Sequence, residues 1–597
     1  MVTAKSASPV VLGMEIRYRQ RPTESISFDP SLDPLLEKIY ATRGVHSQQQ
    51  LDRSLACLPP PSSLSGIAEA VDRLITALEL NQQIVIVGDF DADGATSTAL
   101  MMLALSAMGF NKVKFLVPNR FDYGYGLTPE IVDLALQYKP DVIVTVDNGI
   151  SSIDGVAYAA NFAIDVIVTD HHLPGKELPQ AYAVVNPNQP GCQFPAKNLA
   201  GVGVAFYCLS GLRAELRSRG WFEARGISEP NMASWLDLVA LGTVADVVPL
   251  DQVNRALVHQ GLQRIRSGLC RPGIKALLQI AGKLPDRILA SDLGFALGPR
   301  LNAAGRLDDI SLGINCLITE DSHQAMSIAT TLDQLNRDRK SIEQGMQREA
   351  HSVLDQLLVE SEQRLPTALC LFDASWHQGV VGLVASRLKE KYHRPTVVFA
   401  RAENGELKGS SRSIPGLHIR DVMEAVASQN PGLITKFGGH AMAAGLTLDE
   451  DKLDGFIQAF QAQVEQEISA DDLKALILSD GSLEPHQLSL HMAELLQEGG
   501  PWGQQFPEPL FDGKFIVKKQ RIVGEKHLKL VLSCPSQPDL ILDAIHFNMD
   551  AEQWPNPQCK IAHCAYQLDI NEFRGQRKLQ LLVRHIESTV DDRPAHD

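Results

Sequence analysis

The segment IVIVGDFDADGATSTAL, residues 84–100, sets Asp89, Asp91 and Asp93 two residues apart, directly behind a short Ile and Val run. Successive side chains alternate along an extended chain, so these carboxylates would share one side and repel one another. Hard divalent cations relieve such repulsion, because carboxylate oxygens suit magnesium and manganese. Gly94 permits a tight turn into the next segment; an acidic turn or an isolated calcium loop is the competing reading. Two more apolar runs, VIVTVD and VIVTD, end in Asp147 and in Asp170-His171-His172. A lone Asp at a strand end usually caps a helix, and a His pair usually lies on a surface or fills a core. Delivered together by equivalent strand ends of one sheet, they predict a shared metal site instead. DLVALGTVADVVPL (237–250) adds Asp246, with Asp237 as its competitor. Imidazole among the ligands shifts the preference from magnesium toward manganese. Two divalent cations can clamp a phosphoryl group and activate a water, so the chemistry implied is metal-assisted hydrolysis of a phosphoester or phosphoanhydride.

Such a reaction needs fixed donors for phosphate. The guanidinium fork matches phosphate oxygens, which singles out Arg120, Arg300, Arg306 and Arg412, with Ser410 beside the last, all expected in loops rich in Gly, Pro or Ser. GGHAMAAG (438–445) could cradle phosphate or sugar through backbone N–H groups at Gly438 and Gly439, with His440 as a donor; a close-packed helix start is the alternative. Gly201 and Gly203 do not complete a dinucleotide fingerprint, because Phe206 stands where the third small residue belongs.

These residues need a scaffold. Ile84 to Val87, Val113 to Val117, Val142 to Val146, Val166 to Thr169 and Ala183 to Val185 alternate with helix-length stretches, which predicts a parallel sheet with crossover helices. Ligands of open parallel sheets bind at the carboxyl ends of strands, where each run here ends in polar residues. Residues 230–350 read as mostly helical, interrupted by a loop at 298–309. Ser322 to Arg364 carries no proline and a helical apolar spacing, so one long helix is expected. A second, smaller α/β unit follows. Beyond about residue 475 five or so strand-like segments fit a small β-barrel. Its stretch 511–530 sets Lys514, Lys518, Lys519, Arg521, Lys526 and Lys529 against only Asp512 and Glu525, interleaved with Phe511, Phe515 and His527. With Phe573, this predicts a cationic groove with stacking rings for a single strand, some of those rings being core.

The chain has 597 residues, enough for several domains, and 55 Lys and Arg against 71 Asp and Glu. A net charge of −16 means that any nucleic-acid affinity must come from locally concentrated cations. No apolar run approaches the roughly 18 residues of a membrane span, and no signal-type apolar segment opens the chain, so a cytoplasmic protein is expected. The nine cysteines form no CxxC pair, which argues against a disulfide framework and a zinc site.

GDFDADG, TVDNGI, DHH and LGTVADVVPL, in that order, resemble the four motifs of the DHH phosphoesterase superfamily. The wider set, with VPNRFDYGYGL, LAGVGVAF, LGPRLNAAGRL, WHQGVVGLVASRL, GSSRS and GGHAMAAG, is similar to the RecJ family of single-strand-specific exonucleases. The resemblance covers about residues 30 to 585. It implies an N-terminal segment (1–55), a parallel-sheet DHH catalytic domain (56–320), a long connecting helix (321–364), a smaller α/β DHH-associated domain (365–470) and an OB-like barrel (471–590). By motif position, it implies two bound manganese or magnesium ions on Asp89, Asp91, Asp93, Asp147, His171 and Asp246. Asp246 is preferred over Asp237 because it fills the motif position. His172 would face the substrate phosphate, with Asp170 orienting it. Arg120, Arg306, Ser410 and Arg412 would capture a terminal 5′-phosphate, and His440 would face the active site. The implied activity is 5′→3′ exonuclease action on single-stranded DNA, releasing 5′-mononucleotides in recombination and in mismatch and base-excision repair. Single-strand-binding protein and a RecQ-type helicase are the implied partners, and a monomer is expected. A small-substrate DHH phosphatase or oligonucleotidase is the competing enzyme, though it needs no basic barrel. A non-catalytic replication scaffold would show eroded metal positions, whereas every one is filled here.

Overall fold

Ile84–Gly88 (IVIVG) and Val142–Val146 (VIVTV) are buried along their whole length, as strands covered on both faces must be. The computed structural model describes residues 14–22, 26, 28–118, 126–360, 365–402, 405–524, 526–549 and 554–589, with only the backbone of 357–360. In it these strands belong to a five-stranded sheet in the order Val113–Leu116, Ile84–Gly88, Val142–Val146, Asp165–Thr169, Ala183–Val185, all parallel. Alternate residues serve opposite faces. Val85, Val87, Ile143 and Val168 pack on helices Pro129–Leu136 and Ile153–Ala160. Ile84, Ile86, Val144 and Ile167 join the core formed with helices Ile67–Glu79, Ala92–Ala107 and Gly201–Ser218. The order of strands reverses between Ile84–Gly88 and Val142–Val146. Ligands of doubly wound sheets bind at the carboxyl ends of the strands flanking such a reversal, which is where Asp89 and Asp147 follow.

Residues 298–309, expected as a loop, are mostly helical: one turn of π-helix at Leu293–Leu297 runs directly into the helix Gly298–Leu307. Pro299 follows directly on that π-turn, inside a helical stretch that begins at Ala290. The expected long helix is present as Ser322–Glu360, 39 residues and about 58 Å long.

The chain forms two compact units, Tyr18–Asn336 with Ser479–Asp597, and Arg337–Leu478 with the residues up to Arg17. The division falls inside the long helix. In the first unit, the helix Pro34–Ala41 buries Leu35, Leu36, Ile39 and Tyr40. Tyr40 stacks on Trp502 and Phe506, and the Arg43 fork meets Asp480 at 2.8 and 2.9 Å. Both side chains of that ion pair are almost wholly buried, so removing Arg43 leaves the buried Asp480 carboxylate with Arg19, 3.7 Å away, in place of the fork. Arg43→Ala is expected to lower stability by about 3–5 kcal/mol, read as a drop in the urea midpoint; an unchanged midpoint would refute the role.

Also in the first unit, Phe511–Val523, His527–Cys534, Gln537–His546, Gln576–Ser588 and Ile561–Phe573 close a five-stranded barrel in that order. Gln537–His546 and Gln576–Ser588 pair in parallel. The second unit has its own mixed sheet, ordered Lys436–Gly439, Ala443–Leu448, Leu407–Arg412, Thr396–Arg401, Leu369–Phe372. Helices Val381–Tyr392, Ile419–Gln429 and Leu453–Glu467 cover it.

Candidate metal centre

Asp89, Asp91 and Asp93 do not lie on an extended chain. The strand stops at Gly88, and Asp91 caps the helix Ala92–Ala107, accepting the N–H groups of Asp93 and Gly94 at 2.9 and 3.0 Å. A capping carboxylate satisfies helix N–H groups that otherwise lack partners, so Asp93 enters the first helical turn. A Cβ on Gly94 would lie 2.4 Å from the Asp89 carbonyl oxygen, so this sharp turn needs glycine. The helix Gly298–Leu307 braces the same loop. Asn302 Oδ1 accepts the Ala92 N–H at 2.7 Å, and a Cβ on Gly305 would strike the Phe90 carbonyl.

Asp147 sits in the left-handed region at φ 63°. Asn148 holds it there: its Nδ2 donates to the carbonyls of Val87 (3.1 Å) and Val146 (2.9 Å), bridging the two strand ends. Asp93 is pinned from the other side, its two oxygens accepting the N–H groups of Gly201 (2.6 Å) and Val202 (3.0 Å) at a helix N-terminus. Gly201 leaves no room for a side chain, because a Cβ there would lie 2.5 Å from Asp147 Oδ1.

His171 Nε2 stands 3.2 Å from Asp147 Oδ1 and 3.4 Å from Asp246 Oδ2. Asp170 is wholly buried. It accepts the N–H groups of Ile150, His171 and His172 and meets His172 Nδ1 at 2.7 Å. Burial pushes the Asp170 carboxyl up, but the His172 bond and both His charges outweigh it and hold it low. For His172, burial disfavours the charged ring, yet Asp170 raises it on balance. The cluster acids go the other way. Burial, then the Asp91 charge, lifts Asp93 to about 7. Asp147 and Asp246 are held well above the usual carboxylate range by burial and then by the Asp93, Asp91 and Asp89 charges.

Three sets, Asp89–Asp91–Asp147, Asp93–His171–Asp246 and Asp147–His171–His172, each bring their ligand atoms within 4.8 Å of one another. Crowded, partly buried carboxylate oxygens with one imidazole suit magnesium or manganese, and cations there would remove the repulsion that raises these acids. Asp237 belongs to none of these sets. It is buried elsewhere, accepting the N–H groups of Leu238 and Arg271 at 3.0 and 2.8 Å.

The phosphate candidates divide. Arg120 lies outside the described residues. Arg306 is in the last turn of the helix that carries Asn302. Arg300, on that helix too, engages Asp333 through Nε and Nη2 at 2.9 and 2.8 Å and the Ala296 carbonyl through Nη1. It braces two helices, where a free phosphate fork was expected. In the second unit Ser410 and Arg412 lie on the strand Leu407–Arg412, in place of the expected loop. Arg412 Nη1 donates to Ser410 Oγ at 3.1 Å and Nε to Ser386 Oγ at 3.0 Å; burial lowers its pKa. Gly382, which faces both residues, permits this approach. Gly438 and Gly439 end one strand of a hairpin whose turn holds His440, with the His440 N–H donating to the Ala443 carbonyl, so no helix starts there. On the barrel, Lys514, Lys518, Lys519, Arg521 and Lys526 are exposed. Phe511 and Phe515 are core, whereas Phe573 is exposed. Asn148, Asn302 and Ser386 went unnoticed in sequence because none belongs to a ligand-type residue class, and Gly201 was weighed there only as part of a dinucleotide fingerprint.

Residues 83–243 match the DHH family, N-terminal domain, 365–466 the DHHA1 domain and 479–585 the RecJ OB domain. The chain is 55% identical over 570 residues to the single-stranded-DNA-specific exonuclease RecJ of Dickeya dadantii, spanning 96% of this chain and 99% of that one. It belongs to the RecJ family. Two crystal structures of RecJ from Thermus thermophilus share the architecture. The complex with Mn2+ has a TM-score of 0.75 at 29% identity, covering 93% of this chain and 76% of that one. The complex with Mg2+ has a TM-score of 0.70 at 28% identity, covering 93% and 75%. Membership in RecJ thus accounts for a catalytic sheet, a DHHA1 unit and an OB barrel in one chain. Among the described residues no helix is long and apolar enough to cross a membrane.

Proposed function

We propose that this chain is a metal-dependent exonuclease that degrades single-stranded DNA 5′→3′ to 5′-mononucleotides. The observation that carries the reading is the convergence of Asp89, Asp91, Asp93, Asp147, His171 and Asp246 at the strand-order reversal, in a chain whose relatives bear the name single-stranded-DNA-specific exonuclease. These six residues would hold two divalent cations, manganese or magnesium, the ions of the Thermus structures. When bound, such a pair stabilises charge on a phosphoryl group and makes water a better nucleophile at neutral pH.

The protein's own residues do the rest. Asp170 takes His172 Nδ1 and so fixes the ring's tautomer and direction, which makes Nε2 the nitrogen that meets a substrate phosphate oxygen. Asp147 stays in place through the Asn148 bridge. Arg120, Arg306, Ser410 and Arg412 are assigned to the terminal 5′-phosphate; His440 and the Gly438-Gly439 backbone are assigned to phosphate or sugar of the strand. The exposed barrel cations would track the backbone of the strand. The same reading makes the protein a cytoplasmic monomer of recombination, mismatch repair and base-excision repair, working with single-strand-binding protein and a RecQ-type helicase.

End-labelled single and double strands, incubated with manganese, magnesium or EDTA, test it. A 5′-labelled single strand should yield labelled mononucleotide first, duplex should persist, and EDTA should stop release. Label leaving first from the 3′ end, or equal loss of duplex, would refute the reading. Faster turnover of a dinucleotide than of a long strand would favour the small-substrate phosphatase.

A further inference from the structure

The helix Leu236–Ala245, which ends at Asp246, borders two features that metal binding does not explain. Val247 holds φ 62° and is 61% exposed. Helices normally place glycine or asparagine in that conformation, and for a β-branched residue it is an outlier. Against the last turn of the same helix lies the π-turn Leu293–Leu297. A Cβ on Gly294 would sit 3.2 Å from Val244 Cγ1, and one on Gly298 3.2 Å from Ala245 Cβ. From that turn Phe295 projects, 85% exposed.

Single π-turns recur at functional sites, and neither a solvated phenylalanine nor an exposed valine in the left-handed region serves a core. Both are tied to the metal centre. Val247 is one residue from Asp246. The π-turn continues into the helix whose Asn302 holds the Ala92 N–H in the Asp89–Asp93 loop. Ahead of the π-turn in the chain, Arg287 pairs with Glu572 at the tip of the barrel hairpin, where Arg574 stacks at 5.2 Å on Phe573, itself 66% exposed.

We propose that Phe295 and Val247 form an apolar shelf beside the metal centre on which the base of a nucleotide flanking the scissile phosphate rests. The proposal rests on the exonuclease reading above. A nucleobase fits, because two exposed apolar side chains, one of them next to the metal-set residue Asp246, offer a surface for a ring beside the proposed phosphate chemistry. Every base offers a π-face, so such a contact positions the strand without selecting its sequence.

The test uses the full-length protein with manganese. Wild type, Phe295→Ala and Val247→Gly, which suits the left-handed backbone, are compared on 5′-phosphorylated oligothymidylate and on strands with a single abasic site at each of the first three nucleotides. Phe295→Ala should raise KM roughly tenfold, with kcat changed less than about twofold; Val247→Gly should shift KM the same way. One abasic position should cost wild type a similar factor and cost Phe295→Ala nothing further, the signature of a shared contact. Unchanged KM in Phe295→Ala, or a loss that simply adds to every abasic site, overturns the shelf alone. Wild type inactive on all strands in manganese and magnesium overturns the exonuclease reading and the shelf with it.

Discussion

Asp147→Asn is expected to reduce hydrolysis of single-stranded DNA by about 1,000-fold, as removing part of a support worth several kcal/mol implies, while strand affinity in EDTA stays within about threefold because backbone contacts dominate it. Asparagine is the informative substitution. Asp147 holds φ 63°, a conformation asparagine adopts readily, so shape persists and only the charge is lost. The same change relieves repulsion among acids that burial and mutual charge already hold high. The metal-free variant should therefore melt above metal-free wild type, and manganese should raise its melting temperature less, since stabilisation by a ligand follows its affinity. Hydrolysis near the wild-type rate, or an undiminished manganese-induced shift, would exclude Asp147 from the metal set.

Gly201→Ala and Gly203→Ala form a second pair, two residues apart with opposite expectations. At Gly201 a Cβ would lie 2.5 Å from Asp147 Oδ1 and 2.6 Å from its Cβ, and the Gly201 N–H is a donor to Asp93. The helix terminus must retreat, and both aspartates move with it. Displacement of about 1 Å at a reacting centre costs on the order of 100-fold, so kcat/KM should fall at least that far. At Gly203 the nearest atom, 3.1 Å away, is a Leu199 methyl that can turn aside, and activity should stay within about threefold of wild type. Equal effects of the two substitutions would show that Gly201 is general packing, with no special hold on the aspartates.

The contrast between these glycines shows what the sequence could and could not convey. Asp89, Asp147 and His171 were legible because apolar runs marked strands and polar residues closed each one, so a single assumption of parallel topology placed them on one rim. The barrel was legible as a succession of five or so strand-like segments beyond about residue 475. Gly201, by contrast, matters only because Asp147 approaches it through the fold, and Asn148 only because Val87 and Val146 end side by side. Arg300 looked like a phosphate fork until Asp333, 33 residues away, claimed it. Pro299 and two glycines read as a loop, where packing against the Asp89–Asp93 turn favours a helix. Local pattern thus located the chemistry, and long-range packing decided which neighbours serve it.

The crowding of Asp89, Asp91, Asp93, Asp147 and Asp246 also imposes a thermodynamic linkage. A phosphodiester entering the metal-free centre meets five acids, whereas one entering the loaded centre meets their neutralising cations. Strand and cation must then bind with positive coupling, and by reciprocity the strand tightens the hold on metal by the same factor that metal tightens the hold on the strand. The concentration of free manganese needed for half-maximal occupancy therefore falls when DNA is present, so substrate itself helps to complete the centre that cuts it.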